Sequence, residues 1–497
     1  MAILFNAEQV KAWDLYTIQH TPIRSFDLME RAAHVAAQFI IHRYPKEHPK
    51  VIAVCGRGNN GGDGFGIARL LLDAGFSVRV FSLEGKRSAD NQYHLNRLQE
   101  KYADVIEALP EQWPKIENAI CVDAVLGSGL QSAAAGQEKE AISLINSSGL
   151  PVFSIDLPSG LSMDTWIENA RVVNANFTLS FQQYKKSFLF PETGMHCGDI
   201  EILDIQLSPD FIPNETPTEF IIDLKIVRSY YKTRNPFSHK GTYGHALLLA
   251  GSEGMMGAAL LSAKACLRSG AGRTTLWVPK SEVNIPQVSV PEATCISYSI
   301  DSPYPKVSNY QAIGAGPGLG RSDLSTKQLI YLLENANQAL ILDADAINSI
   351  AANPTLLSLI PEGSLLTPHP KEFDHLFGQH ENSFTRHETQ RKQSIERKIF
   401  ILLKGKYSCL STPEGLRYYN VTGNAGMAKG GSGDVLTGML TALYAQYKNM
   451  QPSALLGMYL HGVAGDLASK RFSKESMLAS DLIEEIGNAF TSSFGTF

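Results

Sequence analysis

The sequence predicts an α/β protein built from two doubly wound domains. Three observations predict it. At 497 residues the chain exceeds what one hydrophobic core organises. Short apolar runs ending at a glycine, an acid or a proline alternate with amphipathic helical stretches, the pattern of buried parallel strands joined by helices. Between two such regions lies a proline-spaced polar segment without clear periodicity, SPDFIPNETPTEF (Ser208–Phe220). The domains are therefore drawn at residues 1–212 and 225–497, with a linker over 213–224.

The first 50 residues read as helices, with apolar residues at helical spacing in Val10–Ile18 and Leu28–Ile41. VIAVCG (Val51–Gly56) then reads as a strand, GRGNNGGDG (Gly56–Gly64) as a loop, FGIARLLLDAG as a helix and FSVRVF as the next strand. AICVDAVLG (Ala119–Gly127), VFSIDLPSG (Val152–Gly160), NFTLSF (Asn176–Phe181) and IEILDI (Ile200–Ile205) supply further strands. Beyond the linker, HALLLAGS (His245–Ser252) is a strand, and the alanine-rich run Met255–Gly272 is a helix suited to close packing. TTLWVP, YQAIGAGPGLG, ALILDADAIN and FILLKGKYSCLST continue the alternation, and the final third is mostly helical.

Composition narrows the function classes. Hydrophobic residues at 44% and charged residues at 19% are ordinary for a folded globular chain. A formal net charge of -5 gives no electrostatic footprint for nucleic acid or an anionic membrane. The six cysteines are far apart and form no C-x-x-C pair, against a zinc ribbon or disulfide framework and for a reducing compartment. No run reaches 18 apolar residues, and MAILFNAEQVKAWD lacks the layout of a signal peptide. The expectation is a cytoplasmic chain with neither nucleic acid nor membrane as partner, taken to be a homo-oligomer.

In the first domain, backbone N–H groups at the start of the helix after GRGNNGGDG can reach phosphate oxygens. Gly56, Gly58 and Gly61 satisfy G-x-G-x-x-G, and Glu84 stands in a plausible ribose-binding position after the next strand. That is the hydride-transfer reading; the plain alternative is a tight strand–helix turn. Asn59, Asn60 and Asp63 depart from a simple pyrophosphate cradle, because two amides and a carboxylate offer oxygens to a cation and donors to a ribose or amide. Asp123 and Asp156 lie at two more strand ends, which in a parallel sheet line one crevice; each alone would be read as a cap.

LMERAA (Leu28–Ala33), GRGNNGGDGFGIAR, DAVLGSGL (Asp123–Leu130) and DLPSGL (Asp156–Leu161), in that order, resemble the NAD(P)H-hydrate epimerase domain, a Rossmann-like three-layer sandwich. The resemblance covers about residues 1–210, including Lys185 and PETGMHCGDIEILDI. It implies that Asn59, Asn60, Gly61, Gly62 and Asp63, with Gly127, Ser128, Gly129, Leu130 and Asp156, bind the hydrate. It further implies that Asn60, Asp123 and Ser159 hold a potassium ion, an oxygen-only set suited to a hard cation. Ser128 replaces the family's usual threonine, and QSAAAG after Leu130 matches poorly. Asp156 at the hydroxyl-bearing carbon is the candidate to move the proton.

In the second domain, TGNAGMAKGGSGDVLTGML (Thr422–Leu440) places Gly430, Gly431 and Gly433 before an apolar helix, forming an anion hole with Asp434 beside it. A carboxylate there can take a hydroxyl proton while the amides stabilise a phosphoryl group in transit; the plain reading is an acidic helix start. LLKGKYS (Leu402–Ser408) suits nucleotide contact or an ordinary turn, and GAGPGLG (Gly314–Gly320) suits close backbone approach or a flexible loop. DAD (Asp343–Asp345) ends a strand, and TPHPKEF (Thr367–Phe373) brackets His369 between prolines.

These segments, in order with HKGTYGHALLLAGSEG, are similar to the ADP- or ATP-dependent NAD(P)H-hydrate dehydratases, a ribokinase-like family, over roughly residues 225–490. The resemblance implies hydrate contacts from Ala258, Gly318, His369 and Asp434. It implies nucleotide contacts from Lys404, Gly405, Lys406, Tyr407, Ser408 and Gly433, with magnesium neutralising the transferred charge. Ser408 and Ser432 replace commoner threonines, and Lys429 is left between touching phosphate and being solvated.

Together the resemblances imply one enzyme acting on hydrated NADH and NADPH. It would equilibrate the R and S hydrates and dehydrate the S form with ADP or ATP, releasing phosphate and AMP or ADP. The fused arrangement resembles bacterial forms that favour ADP. Two rivals stand beside this reading. G-x-G-D also suits a kinase of a vitamin-like hydroxymethyl group, and the first domain also suits a non-catalytic binding module.

Overall fold

The computed structural model describes residues 2–495 and divides into two compact units. One runs over Leu4–Pro217; the other takes residues 218 onward together with the short strand Ala2–Ile3. This division differs from the sequence reading at the linker. Glu219–Ile222 is a strand and Leu224–Tyr230 a helix capped by Asp223, so the linker 213–224 holds the opening of the second unit. Phe220 and Ile222 pack into that unit's core, which the preceding prolines do not foretell.

The first unit carries a seven-stranded, wholly parallel sheet. Its order is Ile106–Ala108, Val78–Ser82, Lys50–Cys55, Ala119–Ala124, Val152–Ile155, Phe177–Phe181 and Asp199–Leu203. Alternation of side chains builds the layers: Val51, Ala53 and Cys55 pack with the helices Ser25–Arg43 and Asn59–Asp73, while Ile52 and Val54 pack with Gly136–Ser147. The strand order reverses between Lys50–Cys55 and Ala119–Ala124, which opens a crevice at their C-terminal ends. The segment read as a loop through Gly64 is helical from Asn59, with Gly58 as the extended N-cap. Glycine disfavours helix by about 1 kcal/mol per residue, but packing overrides that preference here. A Cβ on Gly64 would lie 2.6 Å from Ala124 and 2.7 Å from the Cys55 sulfur, so only glycine lets this helix close on the sheet.

The second unit has an eleven-stranded sheet. Seven strands run parallel, from Phe400–Leu403 through Leu365–Leu366, Leu340–Leu342, Ala312–Ala315, His245–Leu249 and Arg273–Pro279 to Thr294–Tyr298. Cys409–Ser411 and Arg417–Asn420 form an antiparallel hairpin beside Phe400–Leu403, and Glu219–Ile222 and Ala2–Ile3 extend that edge. Leu247 and Leu249 face one apolar layer, Ala246 and Leu248 the other. The alanine-rich helix, Met256–Arg268, packs in that second layer. Three helices, Ser432–Tyr447, Met450–Ser476 and Ala479–Phe494, close the chain as its sequence pattern predicts. No helix among the described residues is long and apolar enough to cross a membrane.

Candidate functional sites

The crevice of the first unit gathers the predicted residues around Asp123, which is fully buried at the end of its strand. Its carboxylate accepts from the Ser154 hydroxyl at 2.7 Å, and from the Ser159 backbone N–H and hydroxyl at 2.9 and 2.5 Å. Burial raises its pKa, and the Ser159 hydrogen bonds oppose that shift. Ser159 Oγ also lies 3.2 Å from the Leu126 carbonyl, to which the Asn60 amide donates at 2.7 Å. Asn60, Asp123, Leu126 and Ser159 thus form one oxygen-rich knot. Asn60 Oδ1 is buried there without a hydrogen-bond partner. A buried oxygen without a donor is costly unless something else satisfies it.

Asp156 stands beside this knot with φ +64, in left-handed backbone that asparagine and aspartate tolerate better than most residues. The turn follows from its backbone N–H bonding Leu179 and its carboxylate accepting from Phe181 N–H at 3.2 Å. Lys185, 1% exposed, places its ammonium 3.1 Å from Asp156 Oδ1 and 3.0 Å from the Phe181 carbonyl. Two further acids share this field. Burial raises Asp14 to about 6, Lys185 lowering and Asp156 raising it. Burial also raises Asp63 well above the ordinary range, with added repulsion from Asp156 and Asp14. Asp63 belongs to the predicted set. Asp14 lies on the amphipathic helix Ala7–His20, where one aspartate carries no motif, so sequence alone does not single it out. Asn59 is turned to Ser88, whose hydroxyl donates to it at 2.6 Å. Gly127 packs against Asn60, within 3.1 Å of Asn60 Cβ were a Cβ present; Ser128–Leu130 follow on the same loop.

In the second unit, Gly431 at φ +96 turns the chain into helix Ser432–Tyr447 and sets Asp434 in its first turn. Ser432 Oγ is buried there without a partner, and its carbonyl lies 3.0 Å from His461 Nε2. Burial lowers His461 to about 4 and keeps it neutral at physiological pH. Among the described residues no donor bonds the Asp434 carboxylate. Burial raises it to about 6, with Asp343 and Asp345 raising it further and Lys404 opposing.

The other acids are occupied. Asp343 is 1% exposed and accepts from Lys404 Nζ and Thr437 Oγ1, both at 2.7 Å. Asp345 accepts from Gly320 N–H at 2.9 Å. Burial works against the Lys404 charge, but Asp343 and Glu372 outweigh it and raise its pKa. The Gly433 Cα hydrogen points at this pair, since a Cβ there would lie 3.6 Å from Lys404 Nζ.

His369 caps helix Pro370–Phe377: its Nδ1 accepts from Glu372 N–H at 3.2 Å, which puts the proton on Nε2. Glu372 in turn reaches Lys404 at 3.9 Å, linking histidine, glutamate, lysine and Asp343. Gly318, at φ +57, approaches Ala258 so closely that a Cβ would fall 2.9 Å from the alanine methyl. Ser408 closes the Gly405 turn by hydrogen bonds of 3.2 and 3.3 Å, and Lys406 lies over the Tyr407 ring. Lys429, which the sequence leaves between phosphate contact and solvent, is exposed and has backbone partners. Its ammonium donates to the Glu475 and Met477 carbonyls, the latter at 2.9 Å, so it ties down the end of a helix.

The description of one family model, NAD(P)H-hydrate dehydratase, matches residues 246–488, and that of another, YjeF-related protein N-terminus, matches residues 25–187. A bifunctional NAD(P)H-hydrate repair enzyme of Coxiella burnetii is 31% identical over 98% of this chain and 99% of its own length. An ADP/ATP-dependent NAD(P)H-hydrate dehydratase from Bacillus subtilis, crystallised with ATP and Mg2+, is 30% identical with a TM-score of 0.48 and covers 55% of this chain and 98% of its own. A ribokinase-like superfamily protein from Enterococcus faecalis is 24% identical with a TM-score of 0.50, covering 57% of this chain and all of its own. That last likeness shows a ribokinase-like fold in the second unit.

Proposed function

The chain belongs to the bifunctional NAD(P)H-hydrate repair enzymes, an epimerase domain followed by an ADP/ATP-dependent dehydratase domain, and from that premise we propose how its residues divide the work. The observation that carries the assignment is the free Asp434 carboxylate, raised to about 6 beside an occupied Asp343.

In the second domain Asp434 takes the proton from the hydroxyl of the S hydrate. The terminal phosphoryl group of ADP or ATP moves to that oxygen, leaving AMP or ADP. The ring nitrogen then expels phosphate, restoring the dihydronicotinamide. Ala258, Gly318 and His369 position the hydrate. The Lys404–Ser408 turn, Gly433 and the orphan Ser432 hydroxyl receive the nucleotide at a helix N-terminus. Magnesium, when bound, supplies charge neutralisation at the transferring phosphoryl group. Both oxygens of Asp343 are engaged, and no group of three acids, histidines or cysteines among the described residues forms a cage. The chain therefore fits a cation carried by phosphates and water, with Asp343 and Asp345 nearby.

In the first domain the knot of Asn60, Asp123 and Ser159 suits potassium, because the unpartnered Asn60 oxygen is what a hard cation takes up. Asn59–Asp63, Gly127–Leu130 and Asp156 hold the hydrate. Asp156, ion-paired with Lys185, is placed to accept a proton, while Asp63 and Asp14 keep theirs longer and can return one.

The test is NADH recovery from a mixture of R and S hydrates supplied with ADP, ATP or no nucleotide. Full recovery requiring a nucleotide is expected. A stable phosphorylated product without NADH would instead mark a kinase.

A further inference from the structure

Three successive carbonyls of the glycine segment are held by one short stretch at the start of helix Ala89–Tyr102. Asn91 Nδ2 donates to the Gly56 carbonyl at 3.0 Å and to the Gly58 carbonyl at 2.7 Å. The Ser88 backbone N–H takes the Arg57 carbonyl between them, at 3.1 Å. Arg87 also donates to the Gly56 carbonyl, at 3.3 Å, and to Asn91 Oδ1 at 3.1 Å. That last bond fixes which way the amide faces: its oxygen meets the guanidinium, so its nitrogen must meet the carbonyls. Asn91 is fully buried, so its donors are sheltered from solvent. A Cβ on Gly61 would lie 2.0 Å from the Gly56 oxygen and 2.8 Å from Asn91 Nδ2, so the glycine is what lets this contact close.

We propose that Asn91 is a positioning residue for epimerisation, holding the Gly56 and Gly58 carbonyls so that the N–H groups of this loop stay turned toward phosphate oxygens of the hydrate. The inference rests on the epimerase reading of this domain, in which Asn59–Asp63 hold the substrate. In a trans peptide the carbonyl and the following N–H point in opposite directions. Carbonyls 56, 57 and 58, tied to residues 88 and 91, therefore leave the N–H groups of Arg57, Gly58 and Asn59 facing the other way. Among the described residues none of those three N–H groups has an acceptor. Successive free N–H groups at the start of a helix form an anion-binding concavity, and the dinucleotide supplies the anion. Without Asn91 the Gly56 oxygen keeps only Arg87, and the Gly58 oxygen only the Gly62 N–H, each at 3.3 Å. Bonds that long hold a glycine peptide weakly, and the free N–H groups lose their common direction. Phosphate is remote from the carbon that is epimerised, so this contact serves the bound substrate and the transition state alike.

The test uses the full chain and Asn91→Leu, which keeps the bulk of the side chain and removes both donors. KM for epimerisation of the purified R hydrate should rise about tenfold, with kcat within about twofold of the unmodified chain. A side chain that only stabilised the fold would lower Tm and the active fraction, hence the apparent kcat, and leave KM where it was. That outcome overturns the proposal, as does a variant with both constants unchanged. If Asn91→Leu does not fold, Arg87→Met carries the same measurement, since it frees the amide to turn away from the two carbonyls. An unchanged KM there overturns the proposal. Crystals soaked in NADH separate this claim from the epimerase reading. Phosphate oxygens on the Arg57 and Asn59 N–H groups of the unmodified chain, and lost from them in the variant, support the positioning role. They do so even when the R and S hydrates never equilibrate, and in that case only the epimerase reading falls. Phosphates bound elsewhere in the first domain, or none bound there, overturn the role of Asn91.

Discussion

The Lys404 ammonium donates to Asp343 Oδ1 at 2.7 Å while Thr437 fills the other oxygen, so Asp343 is a neutralised acid and Lys404 a cation held in place beside Gly433. Lys404→Met should therefore do two things. Nucleotide affinity falls, and the buried Asp343 carboxylate, left with one hydroxyl donor, destabilises the second domain by about 3–5 kcal/mol. Adding Asp343→Asn should return much of the lost Tm without returning nucleotide affinity. Calorimetry of both variants with and without ADP checks this, and an unchanged nucleotide Kd in Lys404→Met would remove the lysine from the site.

Asp434 carries a pKa raised from 3.8 to about 6, largely by burial. A raised acid favours its protonated form in the fold. Its stabilising contribution is whole below pH 4 and is lost as pH rises through 6. Asp434→Asn should thus raise Tm at pH 7.5, by about 1–3 kcal/mol in stability after allowance for partial exposure, and change nothing at pH 4. Dehydration by the same variant should drop at least ~100-fold while ADP still binds. In the unmodified enzyme kcat/KM for dehydration should decline below pH 6, as the base is protonated.

Much of this arrangement was legible in the residue order. GRGNNGGDG, DAVLGSGL, DLPSGL and GGSGD each mark a point where backbone must approach a ligand or another element, and glycine, proline and acid leave a local signature. What stayed hidden depends on distant partners. Nothing near Lys185 announces that it lies 3.1 Å from Asp156, and nothing near Asp14 announces that burial raises it. Lys429 among its glycines leaves phosphate contact and solvation open, and nothing near it announces the two carbonyls, from residues 475 and 477, that it bonds. The helix from Asn59 was obscured because glycine's poor helix propensity is a local signal, overridden by close packing on Cys55 and Ala124.

The φ of +64 at Asp156 changes how its role is tested. Asp156→Ala would mix loss of the carboxylate with strain, since alanine in left-handed backbone costs about 1–2 kcal/mol. Asp156→Asn tolerates that backbone and keeps an oxygen for the Phe181 N–H, while removing the charge opposite Lys185. Interconversion of purified R and S hydrates should slow at least ~100-fold in Asp156→Asn with a fold as stable as Asp156→Ala or better. A variant that equilibrates the epimers at the normal rate leaves the proton with Asp63 or Asp14. In that case Asp14→Asn should remove any pH dependence of epimerisation near 6.

Asn60 Oδ1, buried without a donor beside Asp123 and Ser159, predicts a cation response that amide chemistry alone does not. An unsatisfied buried oxygen costs about 1–3 kcal/mol, and a potassium ion bound to it would offset that cost. Potassium should raise the first domain's unfolding temperature and its epimerisation rate, relative to a bulky organic cation at equal ionic strength. Asn60→Leu removes the oxygen and should abolish both responses. Asn60→Asp makes the sharper test: without potassium it adds a second carboxylate beside buried Asp123 and should destabilise the domain, whereas with potassium the added charge should tighten the ion. The difference in Tm between the two salts should therefore grow in Asn60→Asp and vanish in Asn60→Leu. Equal differences in all three proteins would mean that no cation occupies this knot.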